Sequence, residues 1–185
     1  MYKWIKERIG KIDKGVAALE FAILLPFMLI TLIGLYDVSE LIFCNNKMNR
    51  TAQEISNIVT RGPVTQAQLN TMLQASVLIA QPFNFTQNGN VVVTAVGVPD
   101  TPVGAKVKVL WQDSYPGGAG GSQISAASVP AGITLTNGQA VIFTEVFYNF
   151  TPLLPGYILS TTPQSIYAVA AAIPRQGDMT ALSPG

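Results

Sequence analysis

Residues Val16–Tyr36 read VAALEFAILLPFMLITLIGLY, 21 positions interrupted by a single charge, Glu20. A helix needs about 20 apolar residues to cross a hydrocarbon core about 30 Å thick, so this stretch is long enough to span a bilayer. The competing assignment is a buried core helix. It would require the rest of a short chain to cover a cylinder that is apolar all round. The residues before the stretch set its orientation. Lys3, Lys6, Arg8, Lys11 and Lys14 face only Glu7 and Asp13, a side-chain net of +3 in the first 15 positions, whereas the other 170 residues sum to −2. Basic flanks stay on the cytoplasmic side. The N-terminus is therefore expected in the cytoplasm of an inner-membrane protein, with the C-terminal part in the periplasm or beyond.

Composition narrows the function classes. Of the 185 residues, 49% are hydrophobic and 11% charged, against about 25% charged in ordinary soluble domains. Such a chain is not disordered by composition, because disorder needs low hydrophobicity and high charge. A net charge of +1 gives no reason to expect nucleic acid as a partner. Histidine is absent, which removes Ser-His-Asp and Cys-His catalysis and every histidine metal site. Cys44 is the single cysteine, so neither an internal disulfide nor a thiolate zinc site can form. Beyond residue 62 the carboxylates are Asp100, Asp113, Glu145 and Asp178, none paired by spacing. The glycine-rich run SYPGGAGGSQ at 114–123 lacks a lysine at phosphate-loop spacing and reads as a flexible surface loop. No enzyme activity, cofactor, metal or small-molecule substrate is expected.

Three fates share a basic head and an apolar run. A cleaved secretory signal needs small residues at a peptidase site after the run, and Tyr36-Asp37-Val38-Ser39-Glu40 has no such pattern. A lipoprotein needs a small residue just before its cysteine, where Phe43 stands. The third fate keeps the apolar run in the product. Within it a carboxylate costs about 2.5–3.5 kcal/mol at a helix centre and less near an end, and such groups usually face a partner or a cavity. Glu20 lies near the end, where it either meets a partner or snorkels to the headgroups.

The string Lys14-Gly15-Val16-Ala17-Ala18-Leu19-Glu20-Phe21 resembles the processing site of type IV pilins and pseudopilins. In that family a membrane prepilin peptidase cuts after a glycine preceded by basic residues, and a glutamate stands fifth in the product. Carried over, the cut falls between Gly15 and Val16. It removes the leader and exposes a new amine on Val16 that can pair with Glu20 of a neighbouring subunit. Gly15, Ala17, Glu20, Phe21, Ala22, Pro26, Gly34 and Ala52 further resemble the TadE-like family, minor pseudopilins and relatives of the Tad (Flp) pilus machine. The resemblance is strong over residues 10–60 and weak in Glu145–Pro155 and Ile173-Pro174-Arg175. It implies prepilin peptidase, other Tad pilins and pseudopilins, and assembly-platform proteins as partners, with Val16, Glu20 and Pro26 in membrane assembly. The metal-binding adhesion cluster of larger TadG-like relatives is not found.

Past Tyr36, Val38, Leu41, Ile42, Met48, Ala52, Ile55 and Val59 recur at three and four residues, an apolar stripe on a helix. Arg61-Gly62-Pro63 is a stop signal. A helix over 16–61 would be about 70 Å long at 1.5 Å per residue, loosened or kinked at Pro26. Cys44 would face an oxidising space, where it could join two chains by an intermolecular disulfide or serve as a small buried hydrophobe. Thr65 starts a second helix as its N-cap, with Gln68 a weak completion of a capping box. Strands are predicted at Val91–Val96, Lys106–Trp111, Ala140–Phe150 and Ser165–Ala171.

The expected architecture is α+β. A cytoplasmic leader (1–15) precedes a transmembrane helix that continues as an exposed amphipathic helix (16–61). A head (62–185) follows, a small, mostly antiparallel sheet with one additional helix. The expected function is that of a minor pseudopilin supporting assembly or initiation of Tad pili, with incorporation into a pilus. The rival is an uncleaved, single-pass anchored periplasmic binding module.

Overall fold

The computed structural model describes residues 2–116, 121–130, 132–153, 163–176 and 179–183, with side chains from Val16 onward. The basic side chains of the leader, Lys14 included, the run 117–120, Pro155 and Asp178 lie outside the described residues. The chain divides into two compact units, Met1–Leu41 with Thr151–Thr162, and Ile42–Phe150 with Pro163–Gly185.

The first unit holds most of helix α1 (Tyr2–Val59), which begins before Val16 and continues past Pro26. Proline has no N–H to give to the carbonyl four residues back, here Ala22. The hydroxyls of this region satisfy themselves within the helix, as they must where water is scarce. Thr31 Oγ1 donates to Phe27 O at 2.8 Å, and Ser39 Oγ to Leu35 O at 2.7 Å.

In the second unit α1 ends at Val59, two residues before the expected stop. Cys44, Met48, Ala52, Ile55 and Val59 are fully buried, a seam spaced by three and four residues. It differs from the expected stripe at its start, since Ile42 and Val38 are exposed. The buried line runs instead through Cys44 and Thr51, residues too weakly apolar to announce it.

Helix α2 (Gln66–Ile79) buries Leu69, Leu73 and Ser76. Its capping box is complete: Gln68 N–H donates to Thr65 Oγ1 at 3.3 Å, and Thr65 N–H to Gln68 Oε1 at 3.0 Å. Two short elements add to the one helix expected, α3 (Phe85–Asn88) and a 3₁₀ turn at Ala126–Ser128. Asn88-Gly89-Asn90, which has the composition of a turn before a strand, is a helix-to-strand junction. A side chain at Gly89 would run into the Phe85 ring, so the close passage of backbone over that buried ring requires glycine.

Four strands form one antiparallel sheet in the order β2-β1-β3-β4, with β1 Gly89–Gly97, β2 Lys108–Tyr115, β3 Ala140–Phe150 and β4 Gln164–Ala172. β3 has the bounds expected. β2 starts later than expected and runs through Gln112, Asp113 and Ser114. The register slips from Ala95↔Trp111 to Val96↔Val109, a bulge at Leu110. The extra residue breaks the polar–apolar alternation on which the sequence reading relied. Polar residues are tolerated beyond it because β2 is an edge.

The register puts Val91, Val93 and Ala95 beside Val146, Thr144 and Ile142 on one face, and Val92, Thr94 and Val96 beside Glu145, Phe143 and Val141 on the other. The first face takes the helices. Tyr148 stacks on Phe85 with centroids 6.5 Å apart and meets Phe83 edge-on at 5.8 Å, and Phe83 in turn meets Phe43 of α1 at 5.5 Å. Gln66 of α2 donates to Asp113 Oδ2 at 2.6 Å. The second face takes the segment before β3, where Ile124, Val129 and Leu135 pack on Val96, Val141 and Phe143. Each large apolar side chain fully withdrawn from water here contributes about 1.5–3 kcal/mol. The tail closes the unit: Arg175 N–H donates to Thr60 O and Ser183 N–H to Val64 O, both at 2.9 Å.

Candidate functional site

The residues singled out by sequence lie along the apolar part of α1. Val16, Glu20 and Phe21 are all exposed, as are Leu19, Leu24, Phe27 and Leu32. The helix has a mean hydropathy of 2.4 over its most apolar window, none of which is buried. It is long and apolar enough to cross a membrane. Glu20 makes no hydrogen bond or ion pair among the described residues, and Val16 and Glu20 share one side of the helix at a four-residue spacing. Among the described residues, then, the carboxylate is left to the surroundings. A cationic partner on another chain would find it open.

Farther along the same unit the helix stops being exposed all round. Gly34 is buried and Asp37 is 1% exposed. Asp37 Oδ1 accepts the backbone N–H of Leu153 at 2.9 Å. A carboxylate accepting a main-chain N–H is a charge-assisted bond, which offsets part of the cost of burying it. The sequence offered only a lone aspartate just past an apolar run, and no local signal pointed to Leu153. Cys44, in the second unit, is fully buried.

The second unit contains a polar arrangement that sequence reading did not find. Glu145 is fully buried in the centre of β3. Ser122 Oγ donates to its Oε2, Gln123 N–H to its Oε1 at 2.8 Å, and Tyr167 O–H of β4 to its Oε1 at 3.0 Å. Ser122 Oγ also accepts the N–H of Ile124 at 3.0 Å and lies 3.2 Å from Thr94 Oγ1. The end of the glycine-rich run at Ser122-Gln123 is thus a clamp on a buried carboxylate. This corrects the expectation of a flexible loop through Gln123, while Ser114 and Tyr115 belong to β2. Burial first, then the hydrogen bond to Glu145 and its charge, push the Tyr167 phenol up to about 12. All the donors are uncharged groups, and no histidine or cysteine stands beside them. Among the described residues no group of three or more acidic, cysteine or histidine side chains could hold a metal ion. The arrangement therefore reads as a structural lock between the segment before β3 and the sheet.

The model of the family described as TadE-like protein matches residues 15–56. The matched stretch contains Gly15, Ala17, Glu20, Phe21, Ala22, Pro26, Gly34 and Ala52, the residues that carry the resemblance. No curated protein and no solved structure matches the chain. The match relates the chain to the Tad pilus system. Together with the apolar helix it suggests membrane anchoring and is consistent with membrane and pilus partners.

Proposed function

We propose that the chain is a TadE-like minor pseudopilin that supports the assembly or initiation of Tad (Flp) pili and acts structurally, not as an enzyme. The observation that carries this reading is the TadE-like match beginning at Gly15, on a helix whose apolar side chains and Glu20 are open to the surroundings. Prepilin peptidase removes residues 1–15, and the stem stays in the inner membrane with the head in the periplasm. The new amine of Val16 pairs with Glu20 of a neighbouring pilin or pseudopilin. In a low-dielectric bundle each charge alone is costly, and the two together set a register. The size of the head favours a minor subunit over the bulk pilin. The head presents its surface to pilus or assembly-platform proteins.

The test is intact mass and N-terminal peptide mapping of the protein from its native membrane. The expected product starts at Val16 and disappears when the host's prepilin peptidase is inactive. A chain retaining Met1 in a peptidase-competent cell overturns the pseudopilin reading and leaves the anchored binding module. Glu20→Leu separates the same two readings in cells: a filament subunit loses incorporation, whereas a simple anchor inserts as well or better.

A further inference from the structure

We propose that the second unit pairs with a second copy of this chain along the outer edge of β4, strand β4 against strand β4, so that two four-stranded sheets become one. The inference stands apart from the stem and from the pseudopilin reading.

The order β2-β1-β3-β4 leaves two edges, and they are finished differently. β2 carries Lys108 and Asp113, and its ladder slips at Leu110. Charges and bulges are the devices that keep an edge from accepting another strand. β4 has neither. Its nine residues, QSIYAVAAA, contain no charge, proline or glycine and pair with β3 in unbroken register. The longer stretch Val146–Pro174 carries no charged residue either. Every other residue of an antiparallel edge strand turns its N–H and C=O away from the sheet. Among the described residues no strand takes up these groups on the outer side of β4.

The side chains along that edge are also only half covered. Tyr167, Val169 and Ala171 oppose Phe147, Glu145 and Phe143, which places them on the face covered by the segment before β3. That segment packs on Val96, Val141 and Phe143 and leaves Tyr167 37% and Val169 47% exposed.

The occupant argued for is β4 of another copy. An edge of this kind suits an extended, uncharged strand that is already ordered, because ordering a loose segment costs entropy. β4 itself meets each condition. A two-fold contact is isologous, so one pairing closes both unprotected edges. When all nine residues overlap, Ala168 opposes itself, and Tyr167 opposes Val169 of the other copy, once on each side of the axis. Aromatic and β-branched side chains are favourable partners across a sheet.

The experiment uses the full chain in detergent micelles. Ser165 and Ala171 are exposed and oppose each other across the proposed axis, with Cβ atoms about 5 Å apart. Two copies of Ser165 would lie about 20 Å apart, six steps along the strand, too far for a disulfide. Chains with Ser165→Cys and chains with Ala171→Cys, carrying tags of different length, are mixed and oxidised. The fully buried Cys44 makes the unsubstituted chain the background control. The mixed cross-link should exceed either like-with-like product about tenfold or more. Equal yields, or none, overturn the proposal. Sedimentation equilibrium supplies the second readout. Ser165→Lys with Ala171→Lys sets like charges opposite each other twice and should raise the dimer dissociation constant about tenfold or more. Ser165→Lys with Ala171→Asp sets opposite charges at the same places and should dimerise like the unsubstituted chain. Near-ultraviolet circular dichroism checks that both variants fold. A monomer throughout, or a dimer indifferent to the paired lysines, overturns the proposal. Slow hydrogen exchange along the whole of β4 in a monomer means that the chain covers its own edge, which also overturns it.

Discussion

Leu24 and Ile142 are close chemical equivalents, yet Leu24 is 57% exposed on α1 whereas Ile142 is fully buried in β3. The two regions around them are both rich in apolar residues, and their patterns differ. The stem is apolar at nearly every position with no polar face, whereas the sheet offers two faces and supplies helices for one and a connecting segment for the other. Apolar content alone therefore says how much surface avoids water, and the pattern says whether the chain itself provides the cover. The sheet covers most of its own apolar surface and leaves only a few side chains such as Val169 of β4 exposed. The stem needs a lipid or another chain.

The sharpest way to break this contrast is to truncate both residues. Ile142→Ala removes atoms from a closed core and should lower head stability by about 2–5 kcal/mol. Leu24→Ala should leave the head's melting unchanged. Thermal unfolding of the full chain in nanodiscs, followed by near-ultraviolet circular dichroism from Trp111, reads both. Equal losses would mean that the stem is part of the head's cooperative unit.

A smaller loss is expected at the polar lock. Glu145→Ala leaves Gln123 N–H and Tyr167 O–H unpaired, and bonds to a charged group are worth about 1.5–3 kcal/mol each, so a net loss of about 3 kcal/mol is expected. Hydrogen exchange should rise in residues 121–125 before it rises in β1. Exchange unchanged in that segment would show that Glu145 does not hold it.

The pH effect is smaller again. The phenol of Tyr167 is raised to about 12 by burial and by Glu145, above its ordinary value near 10. Its contribution is therefore fully present below pH 10 and is lost as the pH rises toward 12. Its side chain is 37% exposed, so solvent screens the effect. Tyr167→Phe should flatten the decline in stability between pH 10 and 12. An identical decline in the variant would place the alkaline sensitivity elsewhere.

The least effect is expected at Thr144, whose buried hydroxyl has no hydrogen-bond partner among the described residues. Thr144→Val keeps the shape and removes an unsatisfied group, so it should raise stability by up to about 1 kcal/mol. A loss of that size would point to a bridging water.

The same contrasts decide which parts of the fold are legible in the sequence. The stem and the limits of β3 were legible because long apolar runs and a strong alternation leave few alternatives. β2 was displaced because the bulge at Leu110 shifts the alternation by one residue. The buried seam of α1 was misread at Ile42 because Cys44 and Thr51 occupy it. Glu145 and Asp37 were invisible as buried groups. Their partners, Ser122 and Tyr167 in one case and Leu153 in the other, are distant in sequence and meet only after the sheet has formed. The TadE-like segment lay within the legible part because its signals are local.

The strand order has a consequence for how the protein is made. β1 pairs with β3, and the N–H of Ser183 reaches back to Val64 O. The stem leaves the ribosome long before either pairing is available, and such non-local contacts form slowly. The apolar helix is therefore complete before the second unit can close, which waits for the chain near Ser183. Until then β3 and β4 stay open to any neighbour offering an edge.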